Sequence, residues 1–374
     1  MRLLICAGGT GGGVYPALAV LQALNDFNRS RKTADAVLWV GGEEGMEGEI
    51  ISRQDIAYQS IPAAGLHGVG IKRLPGNLLK LFQGYLKSGQ IIREFRPDVL
   101  FFTGGYLAVP AAFAGRSIPS LVFIPDIEPG LAIKTISNLA ARIAVSVEQS
   151  KLYTPSGKPV VVSGYPVRSN LINWTREEAF QALDLEEDFP VLLVFGGSKG
   201  ARSINQSLSQ ILPKLLKEMQ VVHITGKLDW EEMTANQEKL STAEQNNYRV
   251  HPFLHEQMGA ALRCADLVVS RSGASILGEY PMFELPAILV PYPHAWRYQK
   301  TNAKHLVDQK AALLVDDEEL TEKLLPTVLK LIRNPEQLDL MRSALKAMAQ
   351  PEAAKTIARE LINLAEESGG GTPL

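Results

Sequence analysis

Two glycine-rich stretches contain the residues whose types and spacing best suit phosphate binding. In the first, five glycines fall within residues 8–13, directly after the apolar residues 3–6. Glycines at a strand-to-helix junction permit a tight turn and let the backbone approach a ligand with no Cβ in the way. The helix that follows, predicted to begin near Pro16, offers unpaired N–H groups and the positive end of its dipole. We therefore predict that this stretch binds a polar or phosphorylated group.

The second stretch repeats the arrangement, since residues 196–202 read Gly-Gly-Ser-Lys-Gly-Ala-Arg after the apolar run 191–195. A dinucleotide site is not predicted at the first stretch, because it lacks the two-residue step that follows G-x-G in the fingerprint. No acidic residue ends a second strand at the usual distance either. The polar ligand is therefore expected to be something other than NAD.

Short apolar runs alternate with helical patterns along the whole chain and would position these turns. Runs of four to six apolar residues between helices are typical of buried parallel strands. The predicted strands are residues 2–6, 36–41, 98–102, 120–124 and 143–147, then 191–195, 220–224, 266–270, 286–290 and 312–315. Both halves are therefore predicted to be doubly wound, Rossmann-like α/β domains.

Prolines 155, 159, 166 and 190 mark the region between the halves, and the boundary is predicted near residue 165. The expected domains are residues 1–164 and 165–350, with a last helix in 351–374 that returns to the N-terminal domain and ends in a frayed tail. In open α/β sheets, ligands bind beyond the carboxyl ends of the strands. Two such domains facing a central cleft would line it with both glycine stretches.

Composition limits the function classes. The 374 residues are 46% hydrophobic and 21% charged, with a net charge of −2, so nucleic-acid binding is not predicted. Cys6 and Cys264 lie in apolar runs and are expected to be buried thiols in a reducing compartment. The sequence has no apolar stretch long enough for a membrane span and no signal peptide, so a cytoplasmic location is expected.

The motifs, taken in order, resemble the MurG family of glycosyltransferases. The residues that carry the resemblance are 7–18, 103–106 (Thr-Gly-Gly-Tyr), 164–168 (Gly-Tyr-Pro-Val-Arg), 196–202 and 270–274 (Ser-Arg-Ser-Gly-Ala), with Glu279 and Gln299. The resemblance covers nearly the whole chain and implies the GT-B fold. It implies inverting transfer of N-acetylglucosamine from its UDP derivative to lipid I, the undecaprenyl-diphosphate-linked N-acetylmuramoyl-pentapeptide, to form lipid II for peptidoglycan.

The resemblance implies a donor site in the C-terminal half. N–H groups of the second glycine turn and the Arg168 side chain would bind the diphosphate, and Glu279 would accept hydrogen bonds from the ribose hydroxyls. Gln299 and Asn302 would bind the sugar; Tyr298 stands where the family has a first glutamine. The full donor set is Arg168, Gly197, Ser198, Gly200, Phe253, Leu254, Ser272, Gly273, Ala274, Glu279, His294, Gln299 and Asn302. No cofactor is expected, because UDP-N-acetylglucosamine is a substrate.

The implied acceptor site differs from the family pattern. Gly13 stands where the family usually has histidine, and residues 123–126 read Phe-Ile-Pro-Asp where it usually has His-Glu-Gln-Asn. Inverting transfer needs a base near the attacking hydroxyl, and Asp126 is the first candidate and Glu128 the second. There are two alternatives. In one, Asp126 caps the following helix and Glu128 is solvated; in the other, the two carboxylates form an Asp-x-Glu metal site, although we do not predict a bound metal. The predicted acceptor-binding residues are Gly9, Thr10, Gly11, Gly12, Gly104, Gly105 and Tyr106; Thr10, which would face the sugar, is also predicted to be catalytic.

Residues 65–97 form a basic amphipathic segment with six Lys or Arg residues and one acid. Its large apolar residues at helical spacing are Leu78, Leu79, Phe82, Tyr85 and Leu86. Such a helix is typical of a protein that binds an anionic membrane surface, so a peripheral position on the cytoplasmic face is expected. The alternative is an ordinary helix whose apolar side faces the core.

Three other functions stay open on the sequence. A UDP-sugar 2-epimerase shares the donor and the two-domain fold, and a transferase could act on another lipid acceptor such as diacylglycerol. A UDP-sugar-binding protein that has lost its base is the third. The partners predicted are a UDP-sugar, a polyprenyl-diphosphate-linked acceptor and an anionic membrane, and the sequence identifies no protein partner.

Overall fold

The computed structural model describes residues 1–8, 11–31, 35–43, 47–65, 74–197, 200–295 and 297–368. The chain divides into two compact units, one of Met1–Arg168 with Pro351–Leu374 and one of Ser169–Gln350. Each unit contains one β-sheet with helices on its faces.

The strands are short and mostly buried. They are β1 (Arg2–Ala7), β2 (Ala36–Gly42), β3 (Ala57–Ile61), β4 (Val99–Gly104), β5 (Ser120–Ile124), β6 (Arg142–Val145), β7 (Val160–Val162), β8 (Val191–Phe195), β9 (Gln220–Ile224), β10 (Tyr248–His251), β11 (Leu267–Ser270), β12 (Ala287–Leu289) and β13 (Ala312–Leu314).

The helices connect successive strands. They are α1 (Gly11–Arg31), α2 (Glu47–Ser52), α3 (Leu74–Phe95), α4 (Ala108–Ala114), α5 (Leu131–Leu139), α6 (Ser169–Ile172), α7 (Arg176–Leu183), α8 (Arg202–Leu215), α9 (Trp230–Gln237), α10 (Thr242–Asn246), α11 (Met258–Cys264), α12 (Glu279–Phe283), α13 (Tyr298–Asp308), α14 (Leu320–Ile332), α15 (Pro335–Met348) and α16 (Ala353–Ser368).

Both sheets are parallel and doubly wound. The first has the strand order β3-β2-β1-β4-β5-β6-β7 and the second β10-β9-β8-β11-β12-β13. The order reverses between β1 and β4 in the first sheet and between β8 and β11 in the second. Ligands of doubly wound proteins bind at the carboxyl ends of the strands beside such a switch point. The predicted fold class, two Rossmann-like α/β domains, is confirmed.

All ten predicted apolar runs form strands, with ends that differ by at most two residues. The prediction missed three strands: β3 and β7, which are the two edge strands of the first sheet, and β10, which is an edge strand of the second. An edge strand is buried on fewer sides, so its sequence carries a weaker apolar signal. The prediction that the first helix begins near Pro16 was wrong, because α1 begins at Gly11 and contains Pro16. A proline removes one N–H bond of the second turn there without ending the helix.

The last helix, α16, packs against α1 in the first unit. Arg142 of β6 forms ion pairs with Glu360 and Glu367 of α16, and the Arg359 guanidinium lies 5.5 Å from the centre of the Phe27 ring of α1. These contacts fix the C-terminal segment to the sheet that the N-terminal segment forms.

A buried polar network lies in the second unit. The Nδ1 atom of His223 lies 2.7 Å from the Tyr248 hydroxyl, and its Nε2 atom lies 2.9 Å from Oδ1 of Asn205. The Asn205 amide group donates to Thr225 O and to Asp229. Because this fixes Asn205 Oδ1 as an acceptor, Nε2 of His223 carries the proton and Tyr248 donates to Nδ1. Burial lowers the pKa of His223 from 6.5 to about 3, so the folded imidazole is neutral at physiological pH.

The buried histidine predicts acid sensitivity of the second unit. Below pH 6.5 the unfolded imidazole binds a proton that the folded one does not, so stability falls as the pH drops from 6.5 towards about 3. The free energy of unfolding falls by at most about 1.4 kcal/mol per pH unit through this one group. Thermal or urea unfolding at pH 7 and pH 5 measures it, and His223→Gln, which does not titrate, is expected to show a smaller difference. An equal pH dependence in parent and variant would contradict the assignment.

Candidate functional site

The first glycine stretch lies at the switch point of the first sheet, where β1 and β4 end side by side. Gly105 follows β4 with a φ of +86°, and a Cβ there would be 2.7 Å from the carbonyl oxygen of Gly8. The buried Thr103 hydroxyl donates to the carbonyl of Gly13 at 2.6 Å. The two loops therefore pack backbone against backbone, which requires glycine at position 105.

The predicted acceptor residues flank this contact. Gly11 and Gly12 are the first residues of α1, Gly104 has a φ of +142°, and the Tyr106 side chain is about half exposed. Gly9 and Thr10 lie outside the described residues. The described members thus share one end of one sheet, and their contact with an acceptor stays a prediction.

Glu47 is a buried carboxylate below this turn, and the sequence analysis missed it. Its Oε1 atom accepts the N–H of Gly42 at 2.7 Å and lies 2.4 Å from the position that a Cβ on Gly8 would take. The hydroxyl of Tyr58 donates to the carbonyl of Gly42, and burial together with the Glu47 charge raises the pKa of Tyr58 to about 12. Glu47 therefore fixes the start of the turn. An acidic residue in a helix start looks solvent-exposed in a sequence, so only the fold reveals this contact.

The candidate bases follow β5. Ser146 donates to the carbonyls of Ile124 and Pro125 and so fixes the end of this strand. Asp126 is partly exposed, whereas Glu128 is buried and lies 3.5 Å from the ammonium nitrogen of Lys134. The following helix begins at Leu131 with Gly130 as its N-cap residue, four positions beyond Asp126. The alternative in which Glu128 is solvated is therefore wrong, and Asp126 does not occupy the N-cap position.

Arg168 ends the first unit and lies against α1. Its guanidinium carbon is 4.1 Å from the centre of the Tyr15 ring, which is a close cation–π contact. The Nε atom is buried and has no hydrogen-bond partner among the described residues. The sequence predicts that Arg168 binds the donor diphosphate, whereas its contact with Tyr15 was not predicted.

The second glycine turn lies at the switch point of the second sheet, after β8. Gly197 and Gly200 have φ values of +92° and +78°. A Cβ on Gly200 would be 2.4 Å from the carbonyl oxygen of Thr225, whereas one on Gly197 would meet no atom of the described residues within 4 Å. Gly200 is thus needed for packing, and Gly197 leaves open space in front of the turn. Ser198 lies outside the described residues.

Several predicted sugar-binding residues hold the loop after β11. The hydroxyl of the buried Ser272 donates to the carbonyl of Gln299, and the fully buried Asn302 donates to the carbonyl of Ser272. The Gln299 side-chain oxygen accepts the N–H of Tyr292. The His294 ring is exposed and lies 5.4 Å from that of Tyr292. These contacts bring together four of the predicted donor residues, and their contact with a sugar stays a prediction.

The remaining predicted donor residues lie beyond other strand ends of the same unit. Gly273 is the N-cap of the 3₁₀ turn that begins with Ala274, and Glu279 is the first residue of α12. Phe253 and Leu254 follow β10, and the Phe253 ring packs 4.6 Å from that of His255.

Arg271, within the Ser-Arg-Ser-Gly-Ala motif, has a structural contact that the sequence analysis did not assign. Its guanidinium forms an ion pair with Asp317 and donates to the hydroxyl of Ser203, which in turn donates to Asp317. Ser203 lies in the first turn of α8. This network therefore holds the start of α8 against the end of β11, beside the second glycine turn.

The helix α3 exposes its large apolar side chains. Leu78, Leu79, Phe82, Tyr85 and Leu86, named here the α3 apolar surface, are between 42% and 57% exposed. Beside these residues the buried side of the helix contains the small residues Gly84 and Ser88, and a Cβ on Gly84 would be 2.2 Å from the carbonyl of Pro62; the large buried residue Ile91 follows one turn later. The alternative in which these apolar residues face the core is wrong. Lys72 and Arg73 lie outside the described residues, and Lys80 and Lys87 are exposed.

The described ranges contain no metal-ligand cluster and no helix that could span a membrane. Within them, His, Cys, Asp and Glu side chains form no group of three that could hold a metal ion. In the same part of the chain, every helix is too short or too polar to cross a bilayer. Cys6 and Cys264 are buried free thiols, as predicted.

Comparisons with known proteins decide the family. Residues 3–145 match the glycosyltransferase family 28 N-terminal domain, and residues 191–357 match the glycosyltransferase family 28 C-terminal domain. A protein of Roseiflexus sp. (strain RS-1) is 37% identical over 96% of this chain and 94% of its own length. Its name is UDP-N-acetylglucosamine--N-acetylmuramyl-(pentapeptide) pyrophosphoryl-undecaprenol N-acetylglucosamine transferase. The chain belongs to the MurG family.

Two solved structures show that this MurG-family chain shares its fold with transferases and epimerases alike. The crystal structure of Acinetobacter baumannii MurG matches with a TM-score of 0.72 and 24% identity, covering 97% of this chain and 99% of that one. The UDP-GlcNAc 2-epimerase from Neisseria meningitidis matches with a TM-score of 0.69 and 17% identity, covering 97% and 100%. At these identities the likeness establishes the GT-B-like fold alone.

The contact between Gly105 and Gly8 predicts that Gly105→Ala destabilises the first unit. The positive φ alone costs about 1–3 kcal/mol for a residue with a side chain, and the new methyl group would also contact the Gly8 carbonyl. Gly89→Ala is the matched control, because it lies within α3 and a Cβ there meets no atom within 4 Å. Denaturant unfolding is expected to show a loss for Gly105→Ala and a small gain for Gly89→Ala. Equal stability of the two variants would disprove the backbone contact.

Proposed function

We propose that the protein is an inverting glycosyltransferase that moves N-acetylglucosamine from UDP-N-acetylglucosamine to lipid I, forming lipid II for peptidoglycan synthesis. The observation that carries the proposal is a glycine turn at the switch point of each sheet, in a chain whose full-length relatives are named for this transfer. The turn of the second unit receives the UDP-sugar and the turn of the first unit receives the acceptor.

The leaving diphosphate needs positive charge, which protein groups can provide. The N-terminal turn of α8 follows Gly200 and presents N–H groups and the positive end of its dipole. Arg168 adds a fixed cation. Stabilisation of this kind acts on charge that develops in the transition state. The proposal includes no bound cofactor.

The acceptor hydroxyl attacks the anomeric carbon while the bond from that carbon to the UDP oxygen breaks, and a base removes the hydroxyl proton. Asp126 suits this role better than Glu128, since Asp126 is partly exposed at the end of β5. Glu128 is buried and forms an ion pair with Lys134, which proton transfer to the carboxylate would disrupt.

The α3 apolar surface is proposed to bind the membrane that holds the acceptor, on its cytoplasmic face. Exposed apolar side chains among lysines are suited to the boundary between lipid headgroups and acyl chains. Phe113 of α4, which packs against α3, is also exposed and enlarges the surface.

One assay tests the function. Purified protein is incubated with UDP-N-acetylglucosamine and either lipid I or diacylglycerol, and UDP release and product mass are followed. We expect release of UDP and one added N-acetylhexosamine with lipid I. The second candidate function is transfer to another lipid, which the departures from the family pattern at Gly13 and residues 123–126 favour. Product formed with diacylglycerol but not with lipid I would establish this function. Conversion of the UDP-sugar without UDP release would indicate a 2-epimerase. Binding of the UDP-sugar without any turnover would indicate a binding protein.

The base assignment predicts unequal effects of two conservative changes. Asp126→Asn keeps the shape and removes the basicity, so turnover should fall by roughly 10²–10⁴ with UDP affinity unchanged. Glu128→Gln should reduce turnover much less. Steady-state kinetics and calorimetry measure both quantities, and the reverse order would transfer the role to Glu128.

The membrane proposal predicts that Leu79→Ser with Phe82→Ser weakens binding to phosphatidylglycerol vesicles at least tenfold. Each apolar side chain contributes roughly 1–2 kcal/mol on insertion. Both side chains are 57% exposed, so the stability of the soluble protein should hardly change. Leu340→Ser in α15, whose side chain is 66% exposed, is the matched control and should sediment like the parent. If the double variant also sediments like the parent, the surface does not bind membranes.

A further inference from the structure

Arg168 is a cation without a counter-ion among the residues that the structure describes. It forms no ion pair and no hydrogen bond through its buried Nε atom with any residue in the described ranges. Removing part of a guanidinium from water is unfavourable unless other groups compensate for the lost hydration. An arginine held in this way is ready for an anion that the protein itself does not supply.

Among the described residues, the Tyr15 ring is the compensating contact of Arg168. The guanidinium carbon lies 4.1 Å from the ring centre, close enough for the planar group to rest on the aromatic face. The ring is itself held in place, since a Cβ on Gly11 would be 2.9 Å from its Cε2 atom. Glycine at position 11 therefore allows the ring to pack on the backbone at the start of α1.

Stacking and phosphate binding use different parts of a guanidinium. An aromatic ring contacts its face, while phosphate oxygens accept from the N–H groups at its edge. The contact with Tyr15 thus limits the orientation of Arg168 without occupying its terminal donors. Less side-chain freedom is then lost when an anion binds.

We propose that Tyr15 is a positioning residue, which holds the guanidinium of Arg168 so that its N–H groups meet the diphosphate of the UDP-sugar. This inference rests on the proposed donor role of Arg168. It assigns a function in donor binding to a residue at the start of α1, beside the first glycine turn. Charge on the diphosphate grows as the sugar leaves, so the loss of this alignment should lower kcat more than it raises KM for the donor.

Two substitutions separate alignment from simple packing. Tyr15→Phe keeps the aromatic face, and Tyr15→Leu fills similar space without it. UDP and uridine are each titrated by calorimetry into the parent, Tyr15→Phe, Tyr15→Leu and Arg168→Ala proteins. We expect Tyr15→Leu to weaken UDP binding about 5- to 30-fold, as expected for a partly desolvated cation–π contact, with uridine binding unchanged. Tyr15→Phe should behave like the parent.

The combined variant Tyr15→Leu with Arg168→Ala tests whether one residue acts through the other. If it does, the double variant binds UDP no more weakly than Arg168→Ala alone. Additive losses, equal losses for UDP and uridine, or parental UDP binding by Tyr15→Leu would each overturn the inference. Thermal unfolding checks the fold, and Tyr15→Met replaces Tyr15→Leu if the latter does not fold.

The UDP and uridine titrations contain no acceptor. They therefore test the role of Tyr15 separately from the proposed transfer to lipid I. Parental UDP binding by Arg168→Ala would remove the donor role of Arg168 and the inference with it. Absence of transfer to lipid I, with the expected UDP and uridine results, would refute the proposed reaction and leave the inference standing.

Discussion

Close packing of backbone against backbone at the switch points is the constraint on which the rest of the structure depends. In the first unit a Cβ on Gly105 would be 2.7 Å from the Gly8 carbonyl, and in the second a Cβ on Gly200 would be 2.4 Å from the Thr225 carbonyl. No side chain fits at either contact. Because the loops meet in this way, α1 and α8 start directly behind their strands with their N-termini at the carboxyl edge of each sheet. The position of the glycines thus decides where the two helix N-termini lie.

Two arginines differ in whether the protein itself neutralises their charge. Arg271 is compensated within the fold by Asp317 and the Ser203 hydroxyl, and it connects the start of α8 to the loop after β11. Arg168 contacts the Tyr15 ring and forms no ion pair with a carboxylate in the described part of the chain. A cation already neutralised by the protein adds little to anion binding, whereas an uncompensated one gains from it. Of these two motif arginines, Arg168 is therefore the one suited to a diphosphate, although both lie in motifs that define the family.

The fold was largely predictable because its buried strands are short apolar runs, and the strands that were missed lie at a sheet edge. The two glycine turns were also predictable, since their composition follows from the backbone geometry they need. Contacts between distant segments were not. Glu47 looks like a surface helix residue but bonds to Gly42 N–H below the first turn, and Tyr15 looks like a core residue but lies against Arg168, far along the chain. The periodicity of apolar residues indicates which side of a helix or strand is buried. Contacts between residues distant in sequence depend instead on the order of strands in the sheet.

The geometry at position 13 bears on the departure from the family pattern. A Cβ on Gly13 would approach no closer than 3.5 Å to its nearest neighbour, the carbonyl oxygen of Thr103, which is ordinary contact. The backbone therefore does not require glycine there, in contrast to Gly105. Packing therefore does not explain why glycine stands where the family resemblance predicts a histidine. In the proposed transferase another group would act as the proton acceptor, and Asp126 is the candidate; Ser146 bonds to the two carbonyls that precede it at the end of β5. Glu128, buried beside Lys134, is held by the fold in an ion pair that proton transfer would disrupt.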